Sequence, residues 1–162
     1  MSLEAPAAPA APEASAAPED SAPPASRMAV AVLSLVGVFI SGYLTLYKLG
    51  YLGVIQCGTG GCETVQASKY AYFLGVPVAV WGIGAYGALL LLALAGVQPR
   101  WVRSRGVAAG LFAMAAAGVA FSAYLTYLEA AVIHAWCRWC VASAVLITLI
   151  FLLSLPGLRQ AR

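Results

Sequence analysis

Residues 76–97 read VPVAVWGIGAYGALLLLALAGV, without one charged side chain. A bilayer core about 30 Å thick needs about 20 consecutive apolar residues per helix, so this stretch predicts a membrane span. Three more runs meet the same test: Met28 to Tyr47, bounded by Arg27 and Lys48; Gly106 to Leu128, closed by Glu129; and Trp139 to Leu158, where Pro156 and Gly157 mark the exit. Pro77 reads as a first-turn residue of the second span, where its missing N–H costs nothing. The expected architecture is an all-α integral membrane protein, a four-helix bundle with a long outer loop between the first two spans.

Composition agrees. Hydrophobic residues are 62% of the chain and charged residues 9%, against about a quarter charged in soluble domains, which argues against an ordinary water-soluble enzyme. The net charge of +3 is scattered and leaves no footprint for nucleic acid. Residues 1–27 stand apart, with ten Ala, six of the nine Pro and four of the six acids, and are expected to be a disordered tail outside the membrane. They lack the cationic start of a secretory signal, and the apolar run after them is too long for one. The division is thus a tail at 1–27, a membrane domain at 28–158 and a short end at 159–162. Small residues recur within the spans, at Gly82, Gly84 and Gly87 and at Ala109, Ala113 and Ala117, and predict close helix packing.

Cytoplasmic loops are enriched in Lys and Arg. Arg27, Arg100, Arg103, Arg105, Arg159 and Arg162 fall on one side of a four-span chain, and Lys48, Lys69 and Arg138 on the other. Both termini are therefore expected in the cytoplasm. The loop from Lys48 to Gly75 and the connection from Glu129 to about Cys137 share the outer face, and every cysteine falls there.

The cysteines form two close pairs, Cys57 with Cys62 and Cys137 with Cys140. Gly58, Gly60 and Gly61 provide a turn between the first two and leave the Cys57 segment mobile. Cys137-Arg138-Trp139-Cys140 is a Cys-x-x-Cys at a predicted helix N-terminus, where the helix dipole and Arg138 favour thiolate. On an oxidising face, exchange between neighbouring pairs is chemically available, and two pairs together suggest a relay. Two plainer readings stand beside it: a structural zinc ion held by four thiolates, and two inert staples, which loops this short would make weak ones. Glu129 is expected to be an interfacial carboxylate meeting water rather than a proton relay, and His134 an ordinary loop histidine. The four tryptophans sit near span ends, where aromatic belts form.

Taken together, these residues resemble a family. Ser41-Gly42-Tyr43-Leu44 and Lys48, the loop Cys57-Gly58-Thr59-Gly60-Gly61-Cys62-Glu63-Thr64-Val65, Ser68-Lys69-Tyr70-Ala71, Gly75-Val76-Pro77-Val78-Ala79, Tyr124-Leu125-Thr126-Tyr127 and Trp136-Cys137-Arg138-Trp139-Cys140 are similar to bacterial homologues of vitamin K epoxide reductase. The resemblance covers about Gly37 to Leu155. It implies a bundle surrounding a quinone, ubiquinone or menaquinone, in a bacterial inner membrane. By position it implies that a thioredoxin-fold partner of the DsbA kind, a separate protein because the chain stops at Arg162, gives two electrons to Cys57 and Cys62. Cys62 then attacks Cys137, freeing Cys140 to meet the quinone. Ser68 matches a loop serine near the quinone pocket, and Trp139 is expected to line that pocket. Cys140 lies about 4.5 Å deeper than Cys137 at 1.5 Å per residue, toward a membrane-borne acceptor. After Cys140 the chain reads Val141-Ala142-Ser143-Ala144, unlike the threonine-rich stretch of the animal enzymes, so vitamin K epoxide itself is not implied as substrate. DsbB-type quinone reductases place their Cys-x-x-Cys in the first outer loop, the reverse of the order here. A disulfide-stapled membrane scaffold or small transporter subunit is the alternative outside enzymes, and no ionisable group inside the expected spans favours it.

Overall fold

The computed structural model describes residues 25–58, 61–102 and 104–160. The expected tail up to residue 24, Thr59, Gly60, Arg103 and the last two residues lie outside them. Four long helices carry the fold: α1 (Ala25–Lys48), α3 (Val78–Val97), α4 (Arg105–Leu128) and α5 (Arg138–Gln160). Each is apolar and long enough to cross a membrane. The loop between α1 and α3 is more structured than a plain loop, holding a short helix α2 (Gly61–Ala67), a 3₁₀ turn (Lys69–Ala71) and a minimal antiparallel hairpin of β1 (Tyr72–Phe73) with β2 (Val76–Pro77).

The helices pack with α1 along α3 and α4 along α5, while α1–α5 and α3–α4 contacts close the bundle. In lipid no hydrophobic drive pairs helices, so close approach depends on small residues. Gly37 is the clearest case: a Cβ there would sit 2.3 Å from the Tyr86 ring. Gly82 leaves room for the Ser41 hydroxyl in the same way. Gly84 and Gly87 face open space, and Ala109 and Ala113 point outward, so the expected alanine ridge is not the packing face of α4. That face is Val107, Ala108, Leu111 and Ala115, which join Val30, Tyr86, Leu89, Ala93, Ile147 and Ile150 in the core.

Four helix boundaries differ from the sequence reading. Helix α1 starts at Ala25, inside the expected tail, and buries Arg27, whose Nη1 donates to Gly96 O at 3.0 Å. The span therefore absorbs a cation expected to flank it, because Arg27 can satisfy a carbonyl at the end of α3. Pro77 precedes α3 as an extended N-cap residue, φ −54° and ψ 134°, paired in register with Tyr72. Pro156 lies inside α5, which runs on to Gln160; apolar surroundings favour the helix because a broken one would expose unsatisfied backbone groups to lipid. Most consequential is the end of α4. Glu129 does not close it, because the helix widens into a π turn (Glu129–Ile133) and stops at His134, which is left-handed at φ 55°.

Candidate functional site

Cys57 and Cys62 are joined as a disulfide with Cα atoms 6.0 Å apart, a separation such bonds commonly span. Gly58 between them has φ 71°, a left-handed conformation that costs glycine little. The Cys57 segment, mobile by the sequence reading, is strapped down. Tyr43 on α1 receives a hydrogen bond from Gln56 N at 3.0 Å, Trp139 Nε1 donates to Gln56 O at 3.1 Å, and Arg138 Nη1 donates to Cys57 O at 3.4 Å. The Tyr43 and Trp139 rings pack against each other, centroids 5.1 Å apart. Lys48 Nζ, at the end of α1, donates to Gln66 O and so fastens α2.

The second pair sits where α5 begins. Cys137 occupies the position before the first helical residue, and its sulfur accepts a hydrogen bond from Cys140 N at 3.4 Å, as a polar N-cap side chain would. Hydrogen bonding by the Cys140 thiol, helped by main-chain amides of the motif, holds the Cys137 thiol below its ordinary value against the opposing pull of burial. Thiolate is the nucleophile in disulfide exchange, and a lowered thiol favours that form. Arg138, the cation expected to do that work, reaches the loop carbonyl instead.

Cys57, Cys62 and Cys137 share one buried cluster with Leu44, Ile55 and Val65, and Cys140 packs against it. Gly61 makes that meeting possible. A Cβ on Gly61 would lie 2.4 Å from Trp136 O, so only glycine lets α2 come this close to the entry of α5.

Glu129 is the residue that the sequence reading undervalues. It is 3% exposed, not interfacial, and its carboxylate accepts a hydrogen bond from Cys137 N at 3.1 Å. The π turn carries it inward under the dithiol. Its oxygen and the sulfurs of Cys137 and Cys140 lie within 4.8 Å of one another. That spacing is also within reach of a metal ion, but the carboxylate and the Cys137 sulfur are already committed to main-chain donors. The four-thiolate zinc arrangement is not what the chain forms, since Cys57 and Cys62 are bonded to each other. The signal in the sequence is a single acid at the end of an otherwise apolar run.

Beside this cluster a cavity of about 350 Å³ opens between the helices. Its walls are largely apolar, from Ile40 and Leu44 on α1, Met114 and Leu125 on α4, and the aromatic side chains of Phe73, Trp81 and Phe121. Polar groups gather at Gln66, Ser68 and Glu129. Phe73 meets Trp81 and Phe121 edge to face, and its carbonyl accepts from Trp81 Nε1 at 3.2 Å. A flat, amphipathic ring with an apolar tail fits such a site: apolar walls carrying a few placed polar groups. Ser68 lines the cavity, its own hydroxyl donating to Val65 O at 2.7 Å. Trp139 does not line it; the ring is turned to Tyr43 and Gln56. Cys140 is also outside the wall and connects to it through Glu129.

Four candidate spans, a disulfide in the loop between α1 and α3 and a facing dithiol beside an apolar cavity fit a membrane protein of the oxidoreductase class. Residues 28–155 match the model of the Vitamin K epoxide reductase family, and the chain belongs to that family. Its members are, in general, quinone-linked thiol oxidoreductases that work with thioredoxin-like partners.

Proposed function

We propose that this protein makes disulfides in exported proteins by passing electrons from a thioredoxin-fold, DsbA-like partner through Cys57/Cys62 and Cys137/Cys140 to ubiquinone or menaquinone. The membrane is a bacterial inner membrane, with both termini cytoplasmic and the cysteines outside, as the distribution of cations favours. One observation carries the reading: two cysteine pairs far apart in sequence meet in a single buried cluster next to an apolar cavity.

Each residue has its own share of the work. The partner's dithiol reduces the Cys57–Cys62 disulfide, with Cys57 as the point of exchange. Cys62, the more buried of the two, attacks Cys137 within the oxidised helix pair; the Cys57 thiolate then attacks Cys62, which restores the loop disulfide and leaves Cys137 and Cys140 reduced. Gln66, Ser68 and the aromatic walls would hold the ring, and the quinone, when bound, supplies a two-electron, two-proton sink. Cys140 lies behind Glu129, which lines the cavity.

Thiol trapping of membranes tests the reading. With added quinone and a small dithiol, Cys137 and Cys140 should change redox state in each turnover, and quinone identified by mass in the purified protein should accompany it. A stapled scaffold would keep both pairs in one state whatever quinone is supplied, and that result would end the proposal.

A further inference from the structure

Glu129 is the one acid in the described residues that is buried. It is placed between two things that must exchange protons. On one side its carboxylate is within 4.8 Å of both sulfurs of the helix pair; on the other it forms part of the cavity wall. The backbone has to leave α geometry to put it there, since the π turn begins at Glu129 and the left-handed His134 closes it, with Ala135 N donating back to Glu129 O at 3.2 Å. A π turn inside an α-helix is uncommon and frequently marks a functional site. Among the described residues, the other titratable groups near the dithiol and cavity include Tyr70 and Tyr86, which line the wall, Tyr43 and Tyr47, which pack against the cysteine cluster, Lys48, bonded to Gln66 O, and His134 and Arg138 at the entry of α5. Tyr86 is engaged with Ser143, its hydroxyl 2.8 Å from the Ser143 carbonyl oxygen, and Arg138 is engaged with Cys57 O. Neither is placed between sulfur and cavity.

We infer that Glu129 is the proton carrier between the Cys137/Cys140 dithiol and the acceptor in the cavity. The inference rests on the quinone-linked reading above. In balance, the Cys137–Cys140 bond forms as two S–H bonds break; two electrons go to the quinone, and the two protons go with them. Glu129 takes each proton from sulfur and gives it up on the cavity side, so the carboxylate ends in the form in which it began. The step needs no reductant or oxidant beyond the thiols and the quinone.

Glu129→Gln is the informative variant, because the amide oxygen still accepts from Cys137 N while the ability to carry a proton is gone. The full chain in lipid nanodiscs, reduced and freed of excess dithiol, is mixed with a short-tail ubiquinone and followed through one turnover. The expected result is a loss on the order of 100-fold in quinone reduction, within the usual worth of general acid–base catalysis. Exchange between the loop pair and the helix pair, followed by alkylation gel shift, should stay within about twofold. Without any quinone, the pH profile of Cys137 alkylation should move to lower pH, because the carboxylate opposes the thiolate and the amide does not. Glu129→Asp should recover part of the rate; a purely structural role predicts the opposite ranking, with Gln better than Asp. Parent-like quinone reduction in Glu129→Gln, or an equal loss in exchange between the pairs, overturns the inference and leaves the quinone-linked reading standing. A parent protein that reduces no quinone overturns both.

Discussion

At the end of the bundle where residues 98–104 join α3 to α4, apolar packing dominates, and Arg27 donates to Gly96 O across it. At the opposite end Tyr43, Lys48, Arg138 and Trp139 all bond to the backbone of the loop between α1 and α3, and a disulfide closes that loop on itself. Solvent explains the difference. Within lipid a helix satisfies its own backbone, so side chains need only fit. The loop between α1 and α3 has few internal backbone partners, and its carbonyls must be met by side chains from the helices below. The cysteine end is thus anchored from the bundle side by contacts that do not depend on its sulfur–sulfur bond.

Changes at the redox end should cost activity, and changes in the bundle should cost stability. The largest effect belongs to Cys140→Ala, which should bring quinone reduction below detection while the helices remain folded by circular dichroism; retained turnover would break the comparison outright. The same variant removes the hydrogen bond that most lowers the Cys137 thiol. Less thiolate is then present at a given pH, and alkylation of Cys137 should begin at higher pH than in the parent.

Next in size is Gly61→Ala, where the new methyl meets the Trp136 backbone, which cannot swing aside. Overpacking of this kind typically costs about 1–3 kcal/mol, equivalent to roughly 5- to 150-fold. Exchange between the pairs should fall by that factor, as read by gel shift, with direct oxidation of the helix pair by quinone preserved. Gly37→Ala sharpens the other side. Displacing the Tyr86 ring should lower stability in detergent by about 1–2 kcal/mol, seen as an earlier thermal transition, with thiol exchange unchanged at temperatures where the protein is folded. The smallest effect is that of Arg138→Gln. Loss of a hydrogen bond worth about 0.5–1.5 kcal/mol should loosen the Cys57 strand and speed reduction of its disulfide by dithiothreitol roughly 2- to 10-fold.

Much of the fold is legible because a membrane span is a one-dimensional signal: an uncharged run of sufficient length needs no tertiary knowledge. The four spans and the two cysteine pairs can therefore be read directly. What the sequence conceals is orientation around helix axes. The spacing of Ala109, Ala113 and Ala117 is that of a packing ridge, but nothing in an all-apolar helix says which face meets a neighbour, and α4 uses Ala108 and Ala115 instead. The direction of the Trp139 ring is concealed for a related reason. Its indole N–H needs an acceptor and finds the carbonyl of Gln56, contributed by a segment 83 residues away. Glu129 is misjudged when a span is assumed to end at its first charge, and a π turn is not written in residue type.

That turn has an evolutionary corollary. Widening one helical turn amounts to inserting a single residue, and removing one of Ala130, Ala131 or Val132 would return the segment to ordinary pitch. At 3.6 residues per turn, a one-residue slip rotates the downstream chain by about 100° relative to the upstream part. Relatives that differ by one codon in this short stretch should therefore differ in chemistry far more than relatives that differ by many substitutions along the lipid-facing sides, and chain length here is a better guide to kinship of mechanism than percentage identity.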